Sequence, residues 1–359
     1  SQEDLDTPEG RLPHTAFRTK SAGAALSYDI TDNVTAGIQA DLFDSHLRSG
    51  SITYDADDFY VDIPQWKREK VGVFVDAKNI NDTLTRVRWD AYWQKTQKQM
   101  VNHVNSDADS SQVLQHSQAD NRLTTLGTSL QMDWQLGDHH YLVTGYEFSQ
   151  DKLKADTSLQ MKSHIVMPPM SMDMDYITDR YNEGKQSNHA VFASMESQLP
   201  NDFTASYGVR YTYVDSEMSK ASASKNGRQT MSTPRGTVTT PFNNKDDGSA
   251  GKTGSNHNDH FVFNAGLTWT GIEDLALRAT WSQGFRAPLL QEKYLQNNMG
   301  GGSVQGNPDL KPETSDNFEL GARFNRGPIH VDVTSFYSMA DDYITKDLTD
   351  SSTSSSRYI

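Results

Sequence analysis

The chain alternates between apolar and polar positions over long stretches. From Phe203 to Tyr213, one set of alternate positions carries Phe203, Ala205, Tyr207, Val209, Tyr211 and Tyr213. The other carries Thr204, Ser206, Gly208, Arg210 and Thr212. Phe261, Phe263, Ala265, Leu267 and Trp269 interleave with Val262, Asn264, Gly266 and Thr268, and Leu275, Leu277, Ala279 and Trp281 with Ala276, Arg278 and Thr280. Val87–Trp93 and Phe318–Phe324 behave alike. A period of two with apolar residues on one side predicts half-buried strands. About twelve are expected, near 20–29, 34–47, 68–78, 82–100, 121–136, 140–152, 188–199, 203–218, 259–270, 274–285, 314–325 and 328–345.

The connections fall into two kinds. Short turns rich in Asn, Asp, Gly or Pro recur at 29–33, 78–82, 135–138, 198–202, 271–274 and 325–328. Longer polar connections are expected around 48–66, 101–120, 153–187, 219–258 and 286–313, and the Ser-rich stretch Ser351–Ser356 reads as the start of another. Short turns on one side and long loops on the other is the asymmetry of outer-membrane barrels. A soluble β-sandwich also alternates, but its strands are usually about 5–6 residues long. The apolar stretches here also carry Trp66, Trp93, Trp134, Tyr213, Trp269 and Trp281, as expected of aromatic girdles at a membrane interface.

Composition agrees. Only 35% of residues are hydrophobic and the mean hydropathy is −0.71, little for a packed soluble core, yet 10% are aromatic. A wide barrel, apolar outside and polar inside, satisfies both. No run approaches the roughly 18 apolar residues of a membrane helix. The start, Ser1-Gln2-Glu3-Asp4, is unlike a signal peptide, so the chain reads as mature, trimmed or internal. The absence of Cys excludes disulfides and thiolate metal sites. A net charge of −14 disfavours nucleic acid as a partner.

The segment Trp281-Ser282-Gln283-Gly284-Phe285-Arg286-Ala287-Pro288 resembles the "GFRAP" signature of TonB-dependent outer-membrane receptors. The run Gly306-Asn307-Pro308-Asp309-Leu310-Lys311-Pro312-Glu313 resembles the "NPxLKPE" motif of the same family, in the right order and at a plausible separation. This resemblance implies that the whole chain, residues 1–359, is an all-β antiparallel transmembrane barrel domain. Its roughly twelve strands would belong to a 22-stranded barrel, with the plug and terminal strands outside this chain. It further implies a bacterial outer-membrane location, contact with membrane lipid, and the TonB energy-transducing complex as partner through the plug. The expected cargo is a ferric siderophore or related iron chelate, with haem or copper as alternatives, and no intrinsic cofactor. Docking by phage or bacteriocins is a further implication of such loops.

Candidate site residues follow. The motif residues Gly284, Phe285, Arg286, Ala287, Pro288, Asn307, Pro308, Asp309, Leu310, Pro312 and Glu313 are expected to fold a loop, with Glu313 a candidate partner for Arg286. Pro288 and Pro308 lack an N–H and suit the places where strands leave the sheet. Tyr54, Tyr60, Tyr176, Tyr181 and Tyr294 are available to contact a chelate. Met161, Met167, Met170, Met172 and Met174, with His164 among them, stand in an expected loop, where thioethers are soft donors suited to Cu(I). Two rival functions are weaker. A passive porin shares the polar lining but not the paired motifs. An enzyme would need a catalytic set, and His257-Asn258-Asp259-His260 lacks a nucleophile context.

Overall fold

The computed structural model describes residues 3, 6–8, 10–11, 15–49, 58–108, 110–245, 249–299, 302–350 and 355–359. β1 (Asp6–Thr7) and β2 (Gly10–Arg11) form a short ribbon. The main sheet begins with β3 (Phe17–Thr31), β4 (Val34–Ser49), β5 (Asp58–Lys78), β6 (Leu84–Ala108) and β7 (Ser111–Leu136). It rises through β8 (His140–Met167), β9 (Met170–Leu199) and β10 (Phe203–Thr233). β11 (Gly236–Lys245), β12 (Gly254–Ile272) and β13 (Leu275–Arg286) follow. A short helix, α1 (Leu290–Tyr294), leads to β14 (Gln296–Met299) and β15 (Gly302–Gln305). β16 (Glu313–Arg326) and β17 (Ile329–Asp341) complete the sheet, and β18 (Lys346–Asp350) and β19 (Ser355–Tyr358) join β14 and β15 in a four-stranded sheet.

The main sheet has thirteen antiparallel strands, twelve following one another as a meander and β11 branching off β10. β10 pairs with β12 along its first half and with β11 along its second. The thirteenth strand, β11, lies in a stretch expected to be a connection. All six short turns fall where the sequence places them, and Asn79, Gly137, Asn201, Asp202, Asp274 and Gly327 take positive φ there, as tight turns require.

The long connections are corrected. Residues 101–108, 111–120, 153–167, 170–187 and 219–233 continue the ladder, so β6 to β10 run 25 to 31 residues and the β8–β9 hairpin turns at Pro168–Pro169. Thirty-one residues span roughly 100 Å along the strand, whereas a bilayer needs only about 9–11 tilted residues. The upper two-thirds of this wall stands clear of the membrane. There both faces meet water, so the period-two signal that marks a membrane strand fades while the backbone ladder persists.

The register keeps one face apolar. Leu277 stands between Trp269 and Ala322, Ala279 between Leu267 and Leu320, and Trp281 between Ala265 and Phe318. At the other end, Val73 lies between Ile38 and Ala91. Many of these side chains are open, Leu320 to 66%, as a lipid-facing surface demands. Trp66 is an exception to the expected girdle. Its register with Ser45 and Lys98 puts it on the polar face, where Phe43 meets it edge-on at 5.7 Å and the Lys98 ammonium sits 5.1 Å from its ring.

The polar face is laced with ion pairs. Arg86 grips Asp76 through two bonds of 2.7 and 2.8 Å, Arg88 grips Asp90 at 2.8 Å, and Arg210 reaches Glu147 at 2.6 Å. Tyr92 of β6 and Phe285–Arg286 of β13 line one cavity although β7, β8, β9, β10 and β12 lie between their strands. The sheet therefore curls toward its polar face, which becomes the lumen wall.

Leu267 is expected to be intolerant of charge in the complete protein folded into lipid vesicles. Leu267→Arg should cost about 2–4 kcal/mol in urea unfolding while Leu267→Phe costs little; equal effects would place this face elsewhere than in lipid.

Candidate functional site

The lumen site is built at the upper end of β13. There the chain leaves the sheet, folds inward as α1 and returns at β16. Arg286 holds the three parts together. Its Nε and Nη2 donate to the two oxygens of Glu313 at 2.6 and 2.7 Å, and its Nη1 donates to Glu292 at 3.0 Å. Such a two-point guanidinium–carboxylate pair fixes geometry as well as charge. Glu292 also accepts from the Leu289 N–H at 2.8 Å, and Glu313 from the Ile344 N–H at 2.8 Å. Glu313 is the partner the sequence suggests; Glu292 was not singled out, and only its place six residues after Arg286 on a helical turn points to it.

Asn307 performs the same service on the return path. Its side chain donates to the Tyr358 carbonyl at 3.0 Å and accepts from Asp309 N–H and Arg357 Nη2, at 3.1 and 2.8 Å. Its own N–H donates to the Glu292 carbonyl at 2.8 Å. Leu310 is buried beside it. The helix rests on the wall through Leu290, Tyr294 and Leu295, which cluster with Met218 of β10 and Leu153 of β8. Gly306 passes so close that a Cβ there would lie 2.7 Å from the Lys293 carbonyl. Lys293 is 1% exposed, its Nζ donating to the Pro308 carbonyl at 3.4 Å. Burial pushes its ammonium down from the ordinary lysine range, against the pull of Asp309. These motif residues mostly build and dock the loop.

Between loop and wall lies an open cavity of about 590 Å³. Tyr92, Glu147, Asp151, Gln186, Asn188 and Arg210 come from the wall, and Phe285, Arg286, Ala287 and Leu289 from the loop root. Glu147 is already paired with Arg210, and Asp151 accepts from the Thr125 hydroxyl. The cavity thus offers amide, hydroxyl and aromatic groups beside the Arg210–Glu147 pair and the Asp151 carboxylate, a lining suited to a polar, hydrogen-bonding cargo.

The tyrosines are not brought together. Tyr54 lies outside the described residues. Tyr60 stacks on His103 at 4.9 Å on the face opposite the lumen, and Tyr181 on that same face donates to Glu183 at 2.9 Å. Tyr294 is buried under the loop. Tyr176 faces inward near the top of the wall and donates to the Met161 sulfur at 2.6 Å. The His257–His260 tract runs along β12, so its neighbours point to opposite faces.

The methionines are not in a loop but on strands, and the register sorts them. Met161 and Met167 of β8 and Met170, Met172 and Met174 of β9 share the inward face. Met231 of β10 joins them, directly opposite Met172. No sequence spacing marks Met231; only strand pairing finds it. His164 is on the other face, its Nδ1 2.6 Å from Asp173. Gln229 donates to the Met172 sulfur at 3.2 Å.

A curled antiparallel meander with an apolar outer face, a polar lumen and an inward-folded loop is part of an outer-membrane β-barrel. The chain belongs to the family described as TonB dependent receptor-like, beta-barrel, which matches residues 10–358. It is 27% identical over 232 residues to the ferric aerobactin receptor of Klebsiella pneumoniae, an overlap of 61% of this chain and 29% of that protein. It is 37% identical over 100 residues to an iron-regulated outer membrane virulence protein of Vibrio cholerae, 25% of this chain and 14% of that one. Among solved structures, the copper transporter OprC superposes with a TM-score of 0.69 at 17% identity, covering 99% of this chain and 51% of that one. The chain thus spans about half that structure and less than a third of these curated relatives. The family is one of transport receptors, which leaves the porin and enzyme readings without support.

In the full-length receptor, Arg286→Ala should loosen the loop by about 1–3 kcal/mol. That lies below the range for a fully buried pair because the guanidinium is 38% exposed. Hydrogen exchange at 289–295 should rise at least about fivefold, and an unchanged exchange rate would contradict the role given to Arg286.

Proposed function

We propose that the complete protein is a TonB-energised import receptor whose cargo is a soft metal, copper, first captured on the inward methionine face. The carrying observation is that six methionines from β8, β9 and β10 share one face at the extracellular end of the wall, with Met172 opposite Met231 and Met167 opposite Met170. Directly opposed residues have Cβ atoms about 4.5–5.5 Å apart, within reach of one ion for flexible thioether side chains. Thioethers favour Cu(I) over hard cations. Among the described residues no group of three His, Asp or Glu is arranged to hold a metal, so the soft donors carry this reading. The lumen cavity beneath, about 590 Å³ and polar-lined, would lie on the path inward. The remaining strands, and the plug through which TonB acts, belong to the part of the receptor outside this sequence.

A second reading, uptake of a ferric siderophore, is favoured by the similarity to the Klebsiella protein, a ferric aerobactin receptor. One comparison separates the two. Full-length receptor titrated with Cu(I) against a competing chelator should bind at least about tenfold more tightly than its Met172→Ala/Met174→Ala/Met231→Ala variant, while His164→Ala binds like wild type. Equal affinity of the triple variant would remove copper; loss of growth on ferric aerobactin when the receptor is deleted would then support the siderophore.

A further inference from the structure

On the upper parts of β6 and β7, two histidines meet on the outer face of the wall. His103 and His116 are directly opposite each other in the register. His103 is the twentieth residue of β6, counted from the short turn at its start. A tilted strand crosses the hydrocarbon in about 9–11 residues, so the pair stands clear of the membrane. Both share the parity of Trp93 and Leu126, which face lipid lower on the same two strands, with no bulge between. The pair is therefore turned away from the lumen and from the methionine face. Ions in the medium reach it without entering the barrel.

The two rings are placed to share an ion. Directly opposed residues have Cβ atoms about 4.5–5.5 Å apart. The ring centroids here are 6.1 Å apart, with the planes inclined at 63°. An ion held by imidazole nitrogen at about 2.0–2.1 Å stands about 3 Å from each ring centre, so the observed separation is the span of one bridging ion. Tyr60 of β5 stacks on His103, with 4.9 Å between centroids and 18° between planes, and holds that ring in place. Other histidines engage a ring nitrogen elsewhere: His140 with Ser197, His164 with Asp173, His189 with Tyr146 and His330 with Asn325. Among the described residues, His103 and His116 make no hydrogen bond or ion pair. Gln160 of β8 is directly opposite His116 and adds an amide on the same face. No third His, Asp or Glu joins them among the described residues, which leaves the remaining coordination positions to water.

We propose that His103 and His116 chelate one borderline divalent cation, Zn(II) or Cu(II), on the outer wall. Neutral imidazole suits these ions, whereas a donor set without carboxylate or thioether favours neither Mg(II) nor Cu(I). The ladder fixes the second imidazole beside the first, so it binds as a tethered ligand at high effective concentration. The bound ion ties β6 to β7 and stabilises the upper wall by mass action. Its donors and its face differ from those of the methionine row, so the inference is independent of the cargo.

The test uses untagged full-length receptor in mild detergent, with Zn(II) as probe. The readout is modification of individual histidines by diethyl pyrocarbonate, followed by peptide mass spectrometry. Zn(II) should slow modification of His103 and His116 together, by at least about fivefold, with one shared half-effective concentration. Cu(II) should act at a lower concentration than Zn(II), and millimolar Mg(II) should give no protection. In His116→Ala, protection of His103 should need at least about tenfold more Zn(II), and His103→Ala should do the same to His116. Heat-modified gel mobility should show both variants folded, since the substituted side chains face water. Absence of protection in wild type, unchanged protection of His103 in folded His116→Ala, or equal protection by Mg(II) would each overturn the proposal.

Discussion

A chain that crosses lipid must pair every backbone N–H and C=O within itself, because hydrocarbon offers no partner for them. The rest of this structure depends on that constraint. It enforces an unbroken antiparallel ladder from β3 to β17, and the ladder in turn fixes which side chains meet lipid and which meet the lumen. Because successive residues face opposite ways, one sequence serves two solvents at once. A register slip of a single residue would exchange Leu277 and Ala279 for Arg278 on the lipid side. The bulges at Leu84/Arg86 and Met218/Lys220 are two of the places where the chain resets this alternation.

The lumen obeys a different rule. Charges are paired along the wall where Arg86 meets Asp76 and Arg210 meets Glu147, so the field these groups make is local. Against that wall the loop after β13 docks by a small apolar cluster around Tyr294 and by the Arg286 clamp. The clamp spans residues far apart in sequence: Arg286 ends β13, Glu313 begins β16, and the Ile344 N–H bonds to the same Glu313. One guanidinium thus couples the loop's departure, its return and the segment beyond β17. A carboxylate reaching both Arg286 and a backbone N–H is held in one rotamer, and the clamp thereby fixes the loop-root residues Phe285, Arg286 and Ala287 that line the cavity.

Much of this was legible in the sequence, and the failures have a common cause. The short turns could be read from Asn79, Asn201, Asp274 and Gly327 because backbone geometry alone demands such residues there. Strands at membrane height could be read because lipid imposes alternation on Phe261–Trp269 and Leu275–Trp281. Above the membrane that selection stops, so the upper parts of β8, β9 and β10 looked like loops, and β11 went unseen. Trp66 was assigned to the girdle from residue type, but its strand position turns it inward beside Phe43. Glu292 and Met231 needed tertiary information, since nothing local distinguishes them from other glutamates and methionines.

The strand structure of the upper wall matters for function. Methionines in a loose loop would be an adaptable surface, and their number would say little about what they touch. On paired strands they become a fixed row, because the ladder sets the spacing of their Cβ atoms even while each thioether keeps its freedom. His164, an even position among the odd, inward-facing positions of β8, is excluded from that row by parity and held instead by Asp173 on the opposite side. The sulfurs there stand among neutral oxygen and nitrogen donors, Ser163 opposite Met174 and Gln115 opposite Met161, with the Tyr176 hydroxyl and the Gln229 amide already engaging Met161 and Met172, and none of the residues paired with the six methionines is a carboxylate. A hard ferric ion would gain little from such a surface, and an iron chelate would meet it only through its organic shell. On the copper reading proposed above, selectivity against an iron chelate rests on whether thioether sulfur or the cavity's hydrogen-bonding groups make the first contact, and the sulfur row stands farther from the membrane.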